Sequence, residues 1–391
     1  MKANTLFNNT ETAFQLKNDS QLERAYFLFK MISKEPLVRI GTAATKFALN
    51  LNLPVEGLIR STVFDHFCGG VNEKDCMPVV EHLSKVGVSS VLDYSVEGKE
   101  GNEQLDATLK KVLELTDFAE TKSSMPFSVF KPTGFGRFEL YRKITEKENL
   151  SPLEVEEWES VVERFDKACK AALNANVTLL IDAEESWMQT AADDLCEQMM
   201  VKYNKDRAVV YNTLQCYRWD RLDYLKEQHA KAKAAGYKLG YKIVRGAYLE
   251  KENERAEEKG YRSPMQKSKQ ETDECFNTVL QYILENIEDI ALFIGTHNEE
   301  SNYLAMDLMN TLGIAVNDSR VWFGQLYGMS DHITFNVATK EYNVAKYIPF
   351  GPVKDVMPYL IRRAEENTSV AGQTSRELSL IKKEKKRRKI K

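Results

Sequence analysis

Four residues near the C-terminal end of this 391-residue chain have types and spacing suited to chemistry. Tyr359, Arg362, Arg363 and Glu366 fall at i, i+3, i+4 and i+7 within Tyr347-Ile-Pro-Phe-Gly-Pro-Val-Lys-Asp-Val-Met-Pro-Tyr-Leu-Ile-Arg-Arg-Ala-Glu-Glu-Asn367. On a helix that spacing puts all four on one face. Two guanidiniums beside an aromatic ring, with a carboxylate one turn on, suit a small carboxylate ligand, because the planar arginine fork matches it. A solvated Arg/Glu surface helix would read the same way, so the stretch alone leaves both readings open.

Further polar residues follow short apolar runs elsewhere in the chain: Lys131, Asp182, Gln215, Arg245-Gly-Ala-Tyr248, Thr296-His297-Asn298 and Gln325-Leu-Tyr327. Lys131, Arg362 and Arg363 offer positive charge for a carboxylate. Tyr248, Leu326, Tyr347 and Tyr359 offer a compact apolar wall. Gln215, Lys242, Gly246, Thr296 and His297 offer hydrogen bonds and close backbone approach of the kind a large planar cofactor needs. Each has a plain alternative. Lys131 reads equally as a loop lysine, Asp182 as a helix N-cap, and His297 as a structural histidine. Metal catalysis has little support, since the five histidines form no His-Glu-x-x-His. No Gly-x-Ser-x-Gly elbow begins a serine triad. Lys131 as a Schiff-base nucleophile stays open.

The elements that must position these residues form a repeating pattern. From about residue 86, apolar runs recur at 88–94, 126–130, 177–181, 208–214, 241–244, 291–295, 321–326 and 347–350. Amphipathic segments lie between them, including 152–173, 187–200, 218–235, 264–286 and 298–309. Ser151-Pro152 starts the first of these as an N-cap followed by proline. Eight strands alternating with helices predict an α/β chain with a (β/α)8 TIM-type barrel, whose chemistry sits at the C-terminal strand ends. An open doubly wound sheet is the alternative, and no Gly-x-Gly-x-x-Gly follows an early strand to favour it. Residues 1–80 show helical patterning without a strand signal and are expected to form an arm. The expected division is therefore 1–80 arm, 81–372 barrel and 373–391 a basic, disordered tail.

Composition narrows the function classes. With 43% hydrophobic and 29% charged residues the chain can bury a sizeable core. Eight of the ten residues 382–391 are basic, so a net charge of −4 makes the rest distinctly acidic. That argues against nucleic acid as a partner. The six cysteines contain no Cys-x-x-Cys pair and read as reduced core thiols. No signal core or membrane-spanning run is legible. The expected location is cytoplasmic, with peripheral contact at the inner face of a membrane as an option.

Taken together, Lys242-Ile-Val-Arg-Gly-Ala-Tyr248, Thr296-His-Asn298, Phe323-Gly-Gln-Leu-Tyr-Gly-Met329 and Tyr347…Tyr359-Leu-Ile-Arg-Arg-Ala-Glu-Glu-Asn367 resemble the proline dehydrogenase family in its single-function form. The resemblance covers about residues 60–370. It implies an FAD-dependent, distorted barrel with the last helix over the barrel mouth. It implies that Arg362, Arg363 and Lys131 bind the carboxylate of L-proline, and that Tyr248, Leu326, Tyr347 and Tyr359 enclose its ring. Glu366 would hold Arg362. Asp182, in Ile181-Asp-Ala-Glu-Glu185, matches an active-site aspartate, and Lys131 and Lys242 join it as catalytic candidates. Ala183, Gln215, Lys242, Val244, Gly246, Thr296 and His297 match flavin contacts. Some members carry arginine where this chain has Lys242, which puts the flavin's geometry or potential in question. The implied reaction is hydride transfer from proline to FAD N5, giving Δ1-pyrroline-5-carboxylate as the first step of proline catabolism. A membrane quinone would take the electrons, and the basic tail could touch anionic lipid.

Overall fold

A computed structural model of the chain describes residues 5–34, 36, 38, 41, 43, 56–95, 101–369 and 373–390; the side chains of residues 58, 61, 364–369 and 373 lie outside that description. The eight expected strands are β1 Ser89–Tyr94, β2 Phe127–Phe130, β3 Thr178–Ile181, β4 Val210–Gln215, β5 Leu239–Val244, β6 Ile290–Gly295, β7 Val321–Leu326 and β8 Val344–Phe350. They close in sequence order into one barrel, with parallel register such as Val91↔Tyr347, Phe130↔Ile181 and Lys242↔Phe293. Closure excludes the open sheet. Parallel strands covered on both faces read as continuous apolar runs instead of alternating ones. Every residue of β4 and β8 is buried accordingly.

The chain divides into two compact units, residues 98–324 and residues 1–97 with 325–391. In the first, helix Pro152–Asn174 starts as the sequence predicts: Ser151 and Glu154 form a reciprocal capping box, with proline at the first helical position. It buries Val161, Phe165, Ala168 and Ala172. Two expected helices start later than their patterns suggested, at Arg221 and Lys269. Residues 216–220 instead form a turn, and Ser268 provides the cap of the second helix by accepting from Glu271 N.

In the other unit, helix Asp19–Ile32 buries Leu22, Ala25, Phe29 and Ile32. The apolar run expected at 47–53 lies outside the described residues. The expectation of a disordered tail is corrected, because residues Gln373–Arg387 form a helix. Leu380 and Ile381 join a buried cluster with Phe14, Leu22 and Phe29. Its cations also have partners: Lys385 pairs with Glu23 at 2.6 Å, and buried Glu384 takes both Arg387 and Arg388. The charge run hid an apolar stripe at helical spacing. A buried charge cluster lies in the same unit, where Lys17 and Lys346 both meet Asp331, at 2.5 and 2.9 Å. Burial would raise the Asp331 carboxyl, but the two ammoniums hold it well below its ordinary value.

Candidate active site

The site is built first at the ends of β2, β3 and β5. Strand β2 stops where Lys131 begins a short 3-10 turn, Pro132–Gly134, closed by Gly134 N donating to Lys131 O at 2.8 Å. Phe135, just after the turn, stacks on Phe130 at 4.2 Å and sets the turn against the strand end. Asp182 follows β3, its N–H donating to Phe130 O at 3.0 Å. Lys242 lies within β5. These three residues meet: Lys131 Nζ lies 3.3 Å from Asp182 Oδ2, and Lys242 Nζ donates to Asp182 Oδ1. All three side chains are largely buried. One carboxylate bridging two ammoniums is a cation-rich arrangement of the kind that suits an anionic ligand. Lys131 is therefore no solvated loop lysine. Asp182 is not a helix cap either, since the next helix, Ser186–Tyr203, has Glu185 at its N-cap.

The cofactor candidates sit on neighbouring strand ends of the same unit. Gln215, the last residue of β4, is buried and donates to Glu184 O at 2.9 Å. Thr296, after β6, is buried; its hydroxyl accepts from Arg245 Nη1 at 2.7 Å and from Asn298 N at 3.1 Å. Arg245 is itself fixed by Asp273 at 2.6 Å and by Ser301 at 3.0 Å. Gly246 has φ +135, and a Cβ there would fall 2.5 Å from the Tyr217 ring. Only glycine fits. Ala183, Val244, His297 and Tyr248 are half-buried beside these positions, Tyr248 at the N-cap of helix Leu249–Lys259. A buried amide, an ammonium and a hydroxyl on the consecutive strand ends β4, β5 and β6 form a donor and acceptor set that fits a planar flavin ring.

The remaining candidates belong to the other unit. Tyr359 on helix Met357–Ser369 is buried in a cluster with Met329, Val353 and Leu360, and Leu326 packs against that cluster. Two of the expected apolar wall residues are thus together. Arg363 lies over the Tyr359 ring, 5.3 Å from its centroid, with Arg362 beside it and half-buried. Tyr347 is buried in β8 and its carbonyl accepts from Tyr327 N at 2.8 Å. Glu366 lies on the same helix; its side chain is outside the described residues. Sequence reasoning gave no role to Glu184, Thr133 or Arg245, although Arg245 was noted at a strand end. The first two stood in plain view, one beside Asp182 and the other beside Lys131, but their pairing spans 51 residues and left no local signal.

A family model described as proline dehydrogenase matches residues 76–376. The chain belongs to the proline dehydrogenase family. Among relatives, the carbapenem antibiotics biosynthesis protein CarD of Pectobacterium carotovorum is 35% identical over 331 residues, 84% of this chain and 85% of that one. The mitochondrial proline dehydrogenase 1 of Dictyostelium discoideum is 30% identical over 98% of this chain and 75% of its own. Among solved structures, proline utilization A from Bdellovibrio bacteriovorus shares the fold, with a TM-score of 0.73 at 18% identity over 97% of this chain. This chain spans 41% of that protein's length. Among the described residues no helix is long and apolar enough to cross a membrane.

Proposed function

We propose that this member of the family is a flavin-dependent proline dehydrogenase, oxidising L-proline to Δ1-pyrroline-5-carboxylate. The observation that carries this reading is the Lys131–Asp182–Lys242 group, largely buried, with one carboxylate bridging two ammoniums at or near three strand ends. Lys131, with Arg362 and Arg363, binds the substrate carboxylate. Tyr248, Leu326, Tyr347 and Tyr359 enclose the ring, and Glu366 holds Arg362. Ala183, Gln215, Lys242, Val244, Gly246, Thr296 and His297 hold FAD, which when bound supplies an acceptor for the hydride lost from the ring carbon beside nitrogen. Asp182 keeps Lys131 and Lys242 in place. Clamping the carboxylate serves orientation as much as affinity. The substrate nitrogen must be neutral for its lone pair to form the C=N bond.

A membrane quinone is the proposed final acceptor, and the proposed place of work is the cytoplasmic, inner face of a membrane. Contact with anionic lipid would fall to Lys382, Lys386 and Lys389, exposed at i, i+4 and i+7 on the C-terminal helix and its end. Deletion of these charges that left vesicle binding unchanged would remove the lipid part alone. The oxidation itself is tested by the absorbance spectrum of the purified, FAD-reconstituted chain. Anaerobic L-proline is expected to bleach the flavin band, and a spectrum that never changes overturns the proposal. A second substrate deserves comparison in the same assay: a hydroxyproline dehydrogenase of Xenopus laevis is 29% identical over 96% of this chain. Faster bleaching by hydroxyproline would reassign the substrate and keep the reaction.

A further inference from the structure

Glu184 follows Asp182 by two residues, is 7% exposed, and has no role in the chemistry above. Its carboxylate reaches from the end of β3 to the turn after β2. There Oε2 accepts from Thr133 N at 3.0 Å and Oε1 from Thr133 Oγ1 at 2.7 Å. Both backbone groups of Glu184 are fixed as well. Its N–H donates to Gln189 Oε1 at 2.8 Å, and its carbonyl accepts from Gln215 at 2.9 Å. Gln189 is tied in turn to Asp193, which pairs with Arg221, each at 2.8 Å. The carboxylate is thus the end of a rigid strut.

At its other end, Thr133 is two residues from Lys131, across Pro132, whose ring removes one backbone freedom. The Pro132 carbonyl accepts from the Tyr141 hydroxyl at 2.8 Å, so the turn is held from its far side too. A shift of Thr133 would pass to Lys131 with little slack. We infer that Glu184 is a positioning residue, whose two bonds to Thr133 aim the Lys131 ammonium at Asp182 and at the substrate carboxylate. The inference rests on the proposed role of Lys131 in binding that carboxylate.

The choice of a carboxylate here is informative. Burial pushes the Glu184 carboxyl up to about 7, against the downward pull of the Thr133 bonds; Glu185 adds to the rise and Lys131 opposes it. Tyr141, on helix Phe138–Thr145, is the other titratable group facing it, and it stays neutral because burial pushes its hydroxyl up. A glutamine would fill the space without that penalty, yet it offers one acceptor where Thr133 presents two donors. Protonation has the same effect, since a neutral carboxyl also gives up one acceptor.

The test uses the full chain loaded with FAD and a ligand without a titrating amine: the five-membered ring carboxylic acid with oxygen in place of the proline nitrogen. Calorimetric titration of the wild type is expected to show affinity falling about fivefold from about pH 8 to about pH 6. The Glu184→Gln variant should bind about fivefold more weakly at the higher pH and lose the pH dependence. Its kcat at saturating proline should move far less than its KM. Thr133→Val, which removes one donor, should weaken binding, and Thr133→Ser should restore it; this pair decides if Glu184→Gln fails to fold. Equal affinities and equal pH profiles in wild type, Glu184→Gln and Thr133→Val would overturn the inference. If the wild type bleaches with proline while those variants match it, only the positioning role falls. If the wild type neither bleaches nor binds the acid, the functional reading falls and this inference with it.

Discussion

Asp182 accepts from two ammoniums that would otherwise repel each other, and its removal should be felt twice. In Asp182→Asn, Lys131 and Lys242 lose the carboxylate they share. A loss of about 3 kcal/mol in urea unfolding is expected, with a fall in turnover. Unchanged stability and turnover would mean that the shared carboxylate matters to neither. Arg363 is a different case, since its guanidinium lies over the Tyr359 ring, on the helix that carries the proposed carboxylate clamp. Arg363→Ala should raise the half-saturating proline concentration by about tenfold or more while flavin stays bound. Glu184 supplies a pH prediction with a definite sign. Its folded value, about 7, lies above the ordinary 4.5, so the folded state holds a proton that the unfolded chain releases. The resulting stability is whole below the ordinary value and lost as pH rises through about 7, a change of roughly 3 kcal/mol. Glu184→Gln should therefore gain on the wild type as pH rises. Melting curves of both proteins at about pH 5 and about pH 8 check this; parallel pH profiles would contradict it.

Among the elements, the strands were legible because a parallel barrel strand is a short apolar run that ends in polar residues. All eight fall within a few residues of the runs read from the sequence. Lys131, Asp182 and Lys242 were found the same way, as polar groups at or near run ends. The contacts among them were not legible, because partners such as Lys131 and Asp182 are 51 residues apart. The C-terminal helix was misread for a related reason: its apolar stripe has meaning only against Phe14, Leu22 and Phe29, more than 340 residues earlier. The segment after β7 shows what a legible glycine is for. Gly328 has φ +79, its carbonyl lies 2.9 Å from His66 Nε2, and a Cβ there would meet His66 O at 2.2 Å. Gly328→Ala should lower stability by about 3 kcal/mol through strain and collision together. Wild-type melting of that variant would mean the approach is looser than this.

At the scale of the whole chain, the unit that contains Tyr347, Tyr359 and the arginine pair also contains both ends of the sequence. Its helix Asp19–Ile32 is covered by Leu380 and Ile381, and its half-buried Lys17 shares Asp331 with buried Lys346. Deleting residues 373–391 should uncover Leu22 and Phe29 and destabilise that unit by at least about 4 kcal/mol. A disordered tail would come off without effect, so equal unfolding midpoints would restore that view.

The division of the chain also sets an order of assembly on the ribosome. Residues 98–324 form one unit that is uninterrupted in sequence. The unit built from residues 1–97 and 325–391 is split around them. The apolar face of helix Asp19–Ile32 must therefore wait for Leu380 and Ile381 to be translated, a delay on the order of half a minute at ordinary synthesis rates. During that interval Leu22 and Phe29 lack the cover that Leu380 and Ile381 give them in the folded chain. A late-truncated product would remain in that state for good.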